Sequence, residues 1–273
     1  MIKLENVVLA SPEQMEFIIE GMRNPMNSWE KSDSEKEFTN AKWPEEMFIL
    51  GENDHSLMQR LSNAGTEHRK YMRMMSVYVR ITAPLYWWKE FDTYKVGTVA
   101  NSCSTMHKIA EKEFTLDDFS CEHLGVFIPA EKNDGIENYQ NLWIATLEEI
   151  IDSLNVARTL YNRETDPKLK KNYWWQMIQL LPSSYNQTRN VMLNYEVLAN
   201  IYRQRKNHKL DEWREFCKWI ETLPYSELIT VKKKPFSVLS PMLEPGYMYA
   251  QNECINPDVD QISEYLKTLW LRR

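Results

Sequence analysis

Glycine is scarce in this sequence, with 7 glycines among 273 residues. Neither G-x-G-x-x-G nor G-x-x-x-x-G-K occurs, which excludes the glycine-rich loops that hold phosphates in dinucleotide-binding proteins and P-loop enzymes. The four cysteines include no C-x-x-C pair, and we expect them to be reduced thiols. A basic excess is also absent, because the net charge is −6 and the pI is about 5.6. We therefore expect no nucleic-acid partner.

Long apolar runs are absent as well, and no stretch reaches the length needed to span a membrane. The first residues, MIKLENVV, do not resemble a signal peptide, so we predict a cytoplasmic protein with no membrane partner. Apolar and aromatic side chains are plentiful, at 43% hydrophobic residues with 10 Trp, 14 Tyr and 9 Phe. This composition favours one large domain, which we place at residues 1–225. Residues 226–273 then form a proline-containing extended arm and a C-terminal helix.

Local patterns predict a mixture of helices and strands. Ser11 is placed to cap a helix that has Pro12 at its first position and Gln14 reaching back. Met75 and Val77 begin an alternation of inward side chains that is typical of a strand. The predicted strands are residues 2–10 and 71–82. The predicted helices are residues 12–22, 56–64, 84–91, 106–112, 167–181, 208–222 and 260–271, with a long helix that includes residues 139–157. The predicted loops are residues 24–44, 96–105 and 115–135, and residues 235–257 are the predicted arm.

Residues 179–213 hold polar side chains that helix formation alone does not explain. After a short polar turn, apolar residues recur at three- and four-residue steps and predict a half-buried helix through residues 191–205. Asn194 and Arg205 would share one face roughly 16 Å apart, whereas Asn200 would point about 120° away. Either the helix bends, or the ligand is long, or a second copy of the chain completes the site. Alternatively, the asparagines are solvated or capping residues and the arginine is a surface charge.

The pattern of this stretch resembles the C-terminal half of the flavin-dependent thymidylate synthases. That family has a Leu-Pro, a polar turn and a helix that carries two asparagines and an arginine. The matching residues here are Leu181, Pro182, Asn194, Asn200 and Arg205. Upstream, His68, the strand that follows it and the segment Ala83-Pro84-Leu85-Tyr86 fit the order and spacing of the family. Together the matches cover roughly residues 55–215.

The RHRxxS motif of the family is replaced in this chain. Its positions hold Thr93, Tyr94, Lys95 and Thr98, and the glutamine before the motif is Glu90. Further on, the serine that lies near the nucleotide phosphate is Cys103, and the arginine two residues after it is Thr105. Arginine binds phosphate bidentately and keeps its charge, so threonine does not replace it. The resemblance therefore extends to the fold and to part of a nucleotide site.

The resemblance implies a mixed α+β subunit with a small antiparallel sheet and several long helices, assembled as a homotetramer with sites between subunits. It implies an enzyme that methylates a pyrimidine deoxynucleotide, dUMP, with reduced FAD, and with a reduced nicotinamide and a methylene-folate as further cofactors. Arg205 would be the catalytic residue, since it would polarise a carbonyl of the pyrimidine ring. The nucleotide-binding residues would be Asn200, Arg205, Glu90, Ser102, Cys103, Ser104 and Thr105. The cofactor-binding residues would be His68, Lys95, Tyr94 and Asn194.

A non-enzymatic interpretation stays open beside this one. The lost arginines favour a structural or nucleotide-sensing protein that kept the fold and lost the flavin site, whereas a purely structural protein has no evident need for Arg205. Cys103, His107, Cys121 and His123 contain the residue types of a zinc site, but the C-x-H spacing is tight for a tetrahedral metal. We predict no metal. Cys103 beside His107 could also be a nucleophile, although a small buried thiol is the interpretation that we favour.

Overall fold

The computed structural model describes residues 2–38, 46–125 and 142–231. The predicted arm at residues 235–257, the predicted helix at residues 260–271 and Tyr139 of the predicted long helix lie outside the described residues. The boundary at residues 225 and 226 stays a prediction, since almost all of the second segment lies outside them.

Helices dominate the described part of the chain. They are α1 (Pro12–Arg23), α2 (Glu52–Ala64), α3 (Lys70–Met74), α4 (Leu85–Phe91), α5 (Leu142–Arg163), α6 (Pro167–Leu180), α7 (Tyr195–Arg205), α8 (Asp211–Thr222) and α9 (Glu227–Thr230). The strands are β1 (Lys3–Leu9), β2 (Glu35–Phe38), β3 (Glu46–Ile49), β4 (Ser76–Pro84), β5 (Val99–Ser102) and β6 (Asn186–Asn194). None of these helices is long and apolar enough to cross a membrane.

Four of the strands form one antiparallel sheet in the order β1-β4-β6-β5, and β2 pairs with β3 separately. The register between the two central strands places Val77 opposite Leu193 and Val79 opposite Val191. Because alternate side chains of a strand point to the same face, these four residues share one face of the sheet, and all of them are buried. One apolar cluster joins this face to α1, α4, α7 and α8. The predicted α+β fold with a small antiparallel sheet is confirmed.

Aromatic rings fill the centre of this cluster. The ring of Trp87 lies 4.7 Å from that of Trp213 and 5.0 Å from that of Phe91, measured between centroids. Trp88 is equally buried, and its Nε1 donates to the carbonyl of Gln187 at 2.9 Å. A second apolar cluster is built by α5, α6 and residues 109–119. The elements that carry the candidate site are therefore attached to a densely packed aromatic core.

Several sequence-based expectations are corrected by the structure. Residues 71–82, predicted as one strand, form the short helix α3 and then β4, while residues 186–194, predicted partly as helix, form β6. Residues 106–112 contain turns and bends in place of the predicted helix. The predicted loops contain strands β2 and β5. The physical reason for the missed strands is that a strand is defined by its pairing with a distant partner, which local periodicity does not report.

Candidate functional site

The strand β6 leads directly into α7, and Asn194 marks the junction. Its Oδ1 accepts from the backbone N–H of Val197 at 3.0 Å, which is the hydrogen bond of an N-cap residue. Its Nδ2 donates to the carbonyl of Gly97 at 3.4 Å. Asn194 therefore lies at the start of α7 and Arg205 at its end. The predicted single helix carrying both residues on one face is wrong, because the first of them belongs to a strand.

Arg205 is the centre of a cluster of polar and aromatic side chains. Its Nη1 lies 2.8 Å from Oε2 of Glu90, and its Nε donates to the hydroxyl of Tyr94 at 2.8 Å. The guanidinium carbon stands 4.9 Å from the ring centroid of Trp213, whose Nε1 donates to the same Glu90 oxygen at 2.9 Å. Nε2 of His208 lies 3.5 Å from that oxygen. The structure thus brings together three of the predicted site residues and holds the arginine in one orientation.

The loop at residues 92–98, between α4 and β5, contacts both ends of α7. Near its start, the Tyr94 hydroxyl donates to Oε1 of Gln204 at 2.9 Å. Near its end, Gly97 has a φ of +79°, and a Cβ there would lie 2.9 Å from Nδ2 of Asn194. Glycine is required at this point for both reasons. The loop is therefore fixed to the helix that carries the candidate arginine.

Asn200 is connected to the cluster through α7 itself. Its Oδ1 accepts from Nη2 of Arg203 at 3.0 Å and from Nε2 of Gln204 at 2.9 Å. Gln204 in turn accepts from Tyr94, whose hydroxyl is the acceptor for Arg205. The asparagine thus orients a neighbour of the cluster, and its amide oxygen is engaged within its own helix.

A cleft of about 440 Å³ contains the remaining predicted nucleotide-binding residues except Ser102. It is lined by Lys3, Glu5, Thr82, Cys103, Ser104, Thr105, Lys112, Asp117, Asp118, Tyr185, Asn186, Gln187 and Thr188. The backbone N–H of Cys103 donates to the carbonyl of Thr188 at 2.9 Å, so that donor is already used. The hydroxyl of Ser104 accepts from the backbone N–H of His107 at 3.0 Å. Ser102 is the last residue of β5, which was predicted to be loop.

Charges of both signs line this cleft. Nζ of Lys112 lies 2.7 Å from Oδ1 of Asp118. Burial by itself would raise the pKa of the Asp118 carboxyl, but hydrogen bonds from Lys112 and from the Thr115 backbone lower it below its ordinary value. Burial, reinforced by the charge of Asp118, raises the pKa of the Tyr185 hydroxyl, which therefore stays protonated. Lys3 and Lys112 were not predicted as site residues, since neither occupies a position of the matched motifs.

Arg189 is a further side chain that sequence reasoning missed. It is stacked over the ring of Trp88 at 4.2 Å from the centroid, and its Nη1 lies 2.8 Å from Oδ1 of Asp92. Its Nε donates to Oε1 of Gln187, whose Nε2 donates to the carbonyl of Cys103. These contacts join the cleft to the loop that holds Arg205. The polar run Gln187-Thr188-Arg189-Asn190 gives no local signal for these contacts, because they depend on the pairing of β6 with distant residues.

Solved structures with this fold include two proteins that bind pyrimidine nucleotides. Thymidylate Synthase X from Helicobacter pylori, crystallised with FAD and dUMP, has a TM-score of 0.53 at 15% identity, over 84% of this chain and 97% of that one. The UMP/dUMP methylase PolB from Streptomyces cacaoi, bound with 5-Br dUMP, has a TM-score of 0.52 at 15% identity, over 85% of this chain and 95% of that one. The chain has the fold of Thymidylate Synthase X. Neither a protein-family model nor a curated protein sequence matches it.

The residues predicted to hold a flavin do not converge within one chain of this fold. His68 is exposed, with its Nε2 3.5 Å from a carboxylate oxygen of Glu67, and Lys95 is exposed as well. The Tyr94 hydroxyl and the Asn194 amide are used in contacts with the two opposite ends of α7. A flavin needs cationic or backbone donors for its phosphates beside a surface for its ring. Among the described residues, the four predicted side chains of one chain therefore do not form a flavin site by themselves.

The possible metal set of cysteines and histidines is also not assembled. Among the described residues, no group of three or more His, Cys, Asp or Glu side chains is placed to hold a metal ion. Nε2 of His123 lies 3.2 Å from Oδ2 of Asp211 instead. Cys103 is exposed and Cys121 is half-buried, so the favoured interpretation of Cys103 as a buried thiol is wrong.

Proposed function

We propose that this chain binds a pyrimidine nucleotide, with the base against Arg205 and Glu90. The observation that carries the proposal is the arginine at the end of α7, partly exposed and held by a carboxylate, a hydroxyl and an indole ring. The fold shared with proteins crystallised with dUMP or 5-Br dUMP supports the nucleotide class. The loop at residues 102–105 is our candidate for the phosphate, within one chain or in a homo-oligomer.

The held orientation of Arg205 suits it to this task. A guanidinium fixed by Tyr94 and by Trp213 presents its remaining donors without the entropic cost of ordering a free side chain. Such a donor stabilises charge on a carbonyl oxygen of a pyrimidine ring. A freely solvated arginine would have to be ordered first.

The test is Arg205→Ala, with dUMP binding measured by isothermal titration calorimetry. We expect the affinity to fall at least roughly tenfold, since the variant loses a charge-assisted hydrogen bond. The melting temperature should change by only a few degrees, because the side chain is partly exposed. Lys206→Ala is the matched control, since it removes a neighbouring exposed cation. An unchanged dUMP affinity in the Arg205 variant would contradict the assignment of Arg205 to the binding site.

Methyl transfer to the nucleotide is the second candidate function. The neighbours named above favour it, since one is a thymidylate synthase and the other a methylase. In this case FAD would have to be held with contacts from a second copy of the chain. The purified protein is incubated with FAD, passed through gel filtration and examined by absorbance. A co-eluting flavin band supports methyl transfer, whereas a protein without the band but with dUMP affinity is the nucleotide-sensing alternative.

A further inference from the structure

A small cavity lies beside α1 and the paired strands β2 and β3. Its volume is about 190 Å³, and it shares no lining residue with the cleft described above or with the Arg205 cluster. The lining residues are Glu16, Ile19, Glu20, Arg23, Trp29, Ser32, Ser34, Glu35 and Phe48. The isoleucine and the phenylalanine are 2% and 1% exposed and form an apolar wall. At about 30 Å³ for each water-sized group, the cavity has room for roughly six such groups, which is the size of one small molecule.

Trp29 gives this cavity an aromatic wall. Its side chain is half-exposed, yet its Nε1 donates to Oδ1 of Asn24 at 2.7 Å. This hydrogen bond holds the indole ring in one orientation. The face of an indole attracts a cation, and tryptophan is the best of the aromatic residues in this respect. A ligand with a positive charge would therefore meet a ring that is already ordered.

The carboxylates of the cavity also favour a cation. Glu16 is compensated, because Nζ of Lys36 lies 3.1 Å from its Oε2. The side chains of Glu20 and Glu35 make no hydrogen bond or ion pair within the described part of the chain. The cavity therefore has two negative charges without a protein partner. A bound cation would be attracted to both of them.

Arg23 supplies a donor at the inner side of the cavity. It is 4% exposed, its Nε donates to Oδ1 of Asp54 at 2.5 Å, and its Nη1 donates to the carbonyl of Ser28 at 3.2 Å. Nη2 makes no hydrogen bond among the described residues, and protein atoms do not enclose it fully. Because Arg23 lines the cavity, this atom is its free donor there. Asp54 already balances the charge of the arginine, so the donor suits a neutral oxygen better than an anion.

We propose that this cavity binds a small organic cation, namely an ammonium group on a short carbon chain that ends in a hydroxyl or carbonyl oxygen. The ammonium group contacts Glu20, Glu35 and the ring of Trp29. The carbon chain follows the apolar wall, and the terminal oxygen accepts from Nη2 of Arg23. This site is separate from the proposed nucleotide site and does not depend on it.

The experiment titrates the full chain, labelled with ¹⁵N-tryptophan, with 4-amino-1-butanol and follows the indole N–H signals by NMR. The signal of Trp29 is the one that is missing from the Trp29→Phe variant. We expect this signal to shift saturably. Butylamine, which lacks the oxygen, should bind about threefold more weakly, because one hydrogen bond is lost. Butane-1,4-diol, which lacks the charge, should bind at least roughly tenfold more weakly, since a charge-assisted contact is lost.

The double variant Glu20→Gln/Glu35→Gln tests the charges directly. Its affinity for 4-amino-1-butanol should fall at least roughly tenfold. Glu30→Gln/Glu37→Gln is the matched control, since it removes two exposed charges from the same region, and neither residue lines the cavity. The melting temperature of each variant checks that it is folded.

Three results would overturn the inference: no saturable shift of the Trp29 signal, equal affinities for the amino alcohol and the diol, or equal losses in the two double variants. Equal affinities for the amino alcohol and butylamine would contradict the role of Arg23. None of these results bears on the nucleotide site, which is tested separately by Arg205→Ala.

Discussion

Two arginine–carboxylate pairs in this molecule have opposite surroundings. Arg23 and Asp54 are 4% and 0% exposed, while Arg205 and Glu90 are 19% and 35% exposed. The Asp54 carboxylate accepts from Arg23, from two serine hydroxyls and from two backbone N–H groups of residues 33 and 34. In the second pair, Oε2 makes all of the contacts of the Glu90 carboxylate.

The difference separates a structural ion pair from a candidate binding pair. Desolvating two charges is costly, and it is tolerated where hydrogen bonds satisfy both groups. The network around Asp54 meets this condition and connects α1, α2 and the start of β2. At Arg205 the contacts fix the orientation, but among the described residues Nη2 of the arginine and Oε1 of Glu90 make no hydrogen bond. Both pairs join an arginine to a carboxylate, and they differ in exposure and in the unused hydrogen-bonding capacity of the carboxylate.

Replacing each acidic residue by alanine tests the difference between the two pairs most directly. We expect Asp54→Ala to lower the free energy of unfolding by about 3–5 kcal/mol, because it leaves the buried charge of Arg23 without its partner. Glu90→Ala should cost less, about 1–2 kcal/mol, because the ion pair is partly exposed although the buried Trp213 N–H loses its acceptor. Urea titration of both variants measures the difference. Asp54→Asn, which keeps an acceptor, should fall between them, and equal costs for the two alanine variants would contradict the distinction.

Whether a contact could be predicted from the sequence depends on how far apart its partners lie along the chain. The helix α1 was predicted correctly because its start is encoded within a few residues, with Ser11 and Gln14 forming a capping box. The inward face of β4 was also predicted from its alternation. Glu90 and Arg205 were both named as site residues, but from a resemblance. Their direct pairing is a tertiary contact that no local pattern reports.

The segment around Asn194 shows why the rest could not be predicted. Apolar residues at positions 191, 195, 198 and 202 have helical spacing, yet the first of them lies in β6 and the others in α7. The strand exists because Val191 pairs with Val79, more than a hundred residues earlier in the chain. A strand that runs directly into a helix can reproduce helical spacing across the junction by coincidence. Only the identity of the distant partner resolves the ambiguity.

Acid should weaken the buried pair of Arg23 and Asp54. Burial would raise the pKa of Asp54, but hydrogen bonds from Ser34 and Ser32 and the charge of Arg23 lower it below its ordinary value of 3.8. The unfolded chain therefore takes up the proton first, so this stabilisation is complete above about pH 3.8 and is lost as the pH falls through the lower folded value. Thermal melts between pH 2 and 5 should show this loss in the wild type. Asp54→Ala should lack that component, and parallel profiles would contradict the assignment.

The smallest expected effect concerns Asn194, which the resemblance placed at the flavin and the structure places at the start of α7. Asn194→Ala removes the side-chain acceptor for the Val197 N–H, and loss of an N-cap costs about 1 kcal/mol. Asn194→Ser is the matched control, because serine caps a helix equally well and places no charge beside the Gly97 carbonyl, so it should restore most of the stability. If capping is its whole role, both variants keep the wild-type dUMP affinity. A loss of affinity in both, with stability restored only in the serine variant, would show that the amide contacts the ligand and would extend the binding pair along the full length of α7.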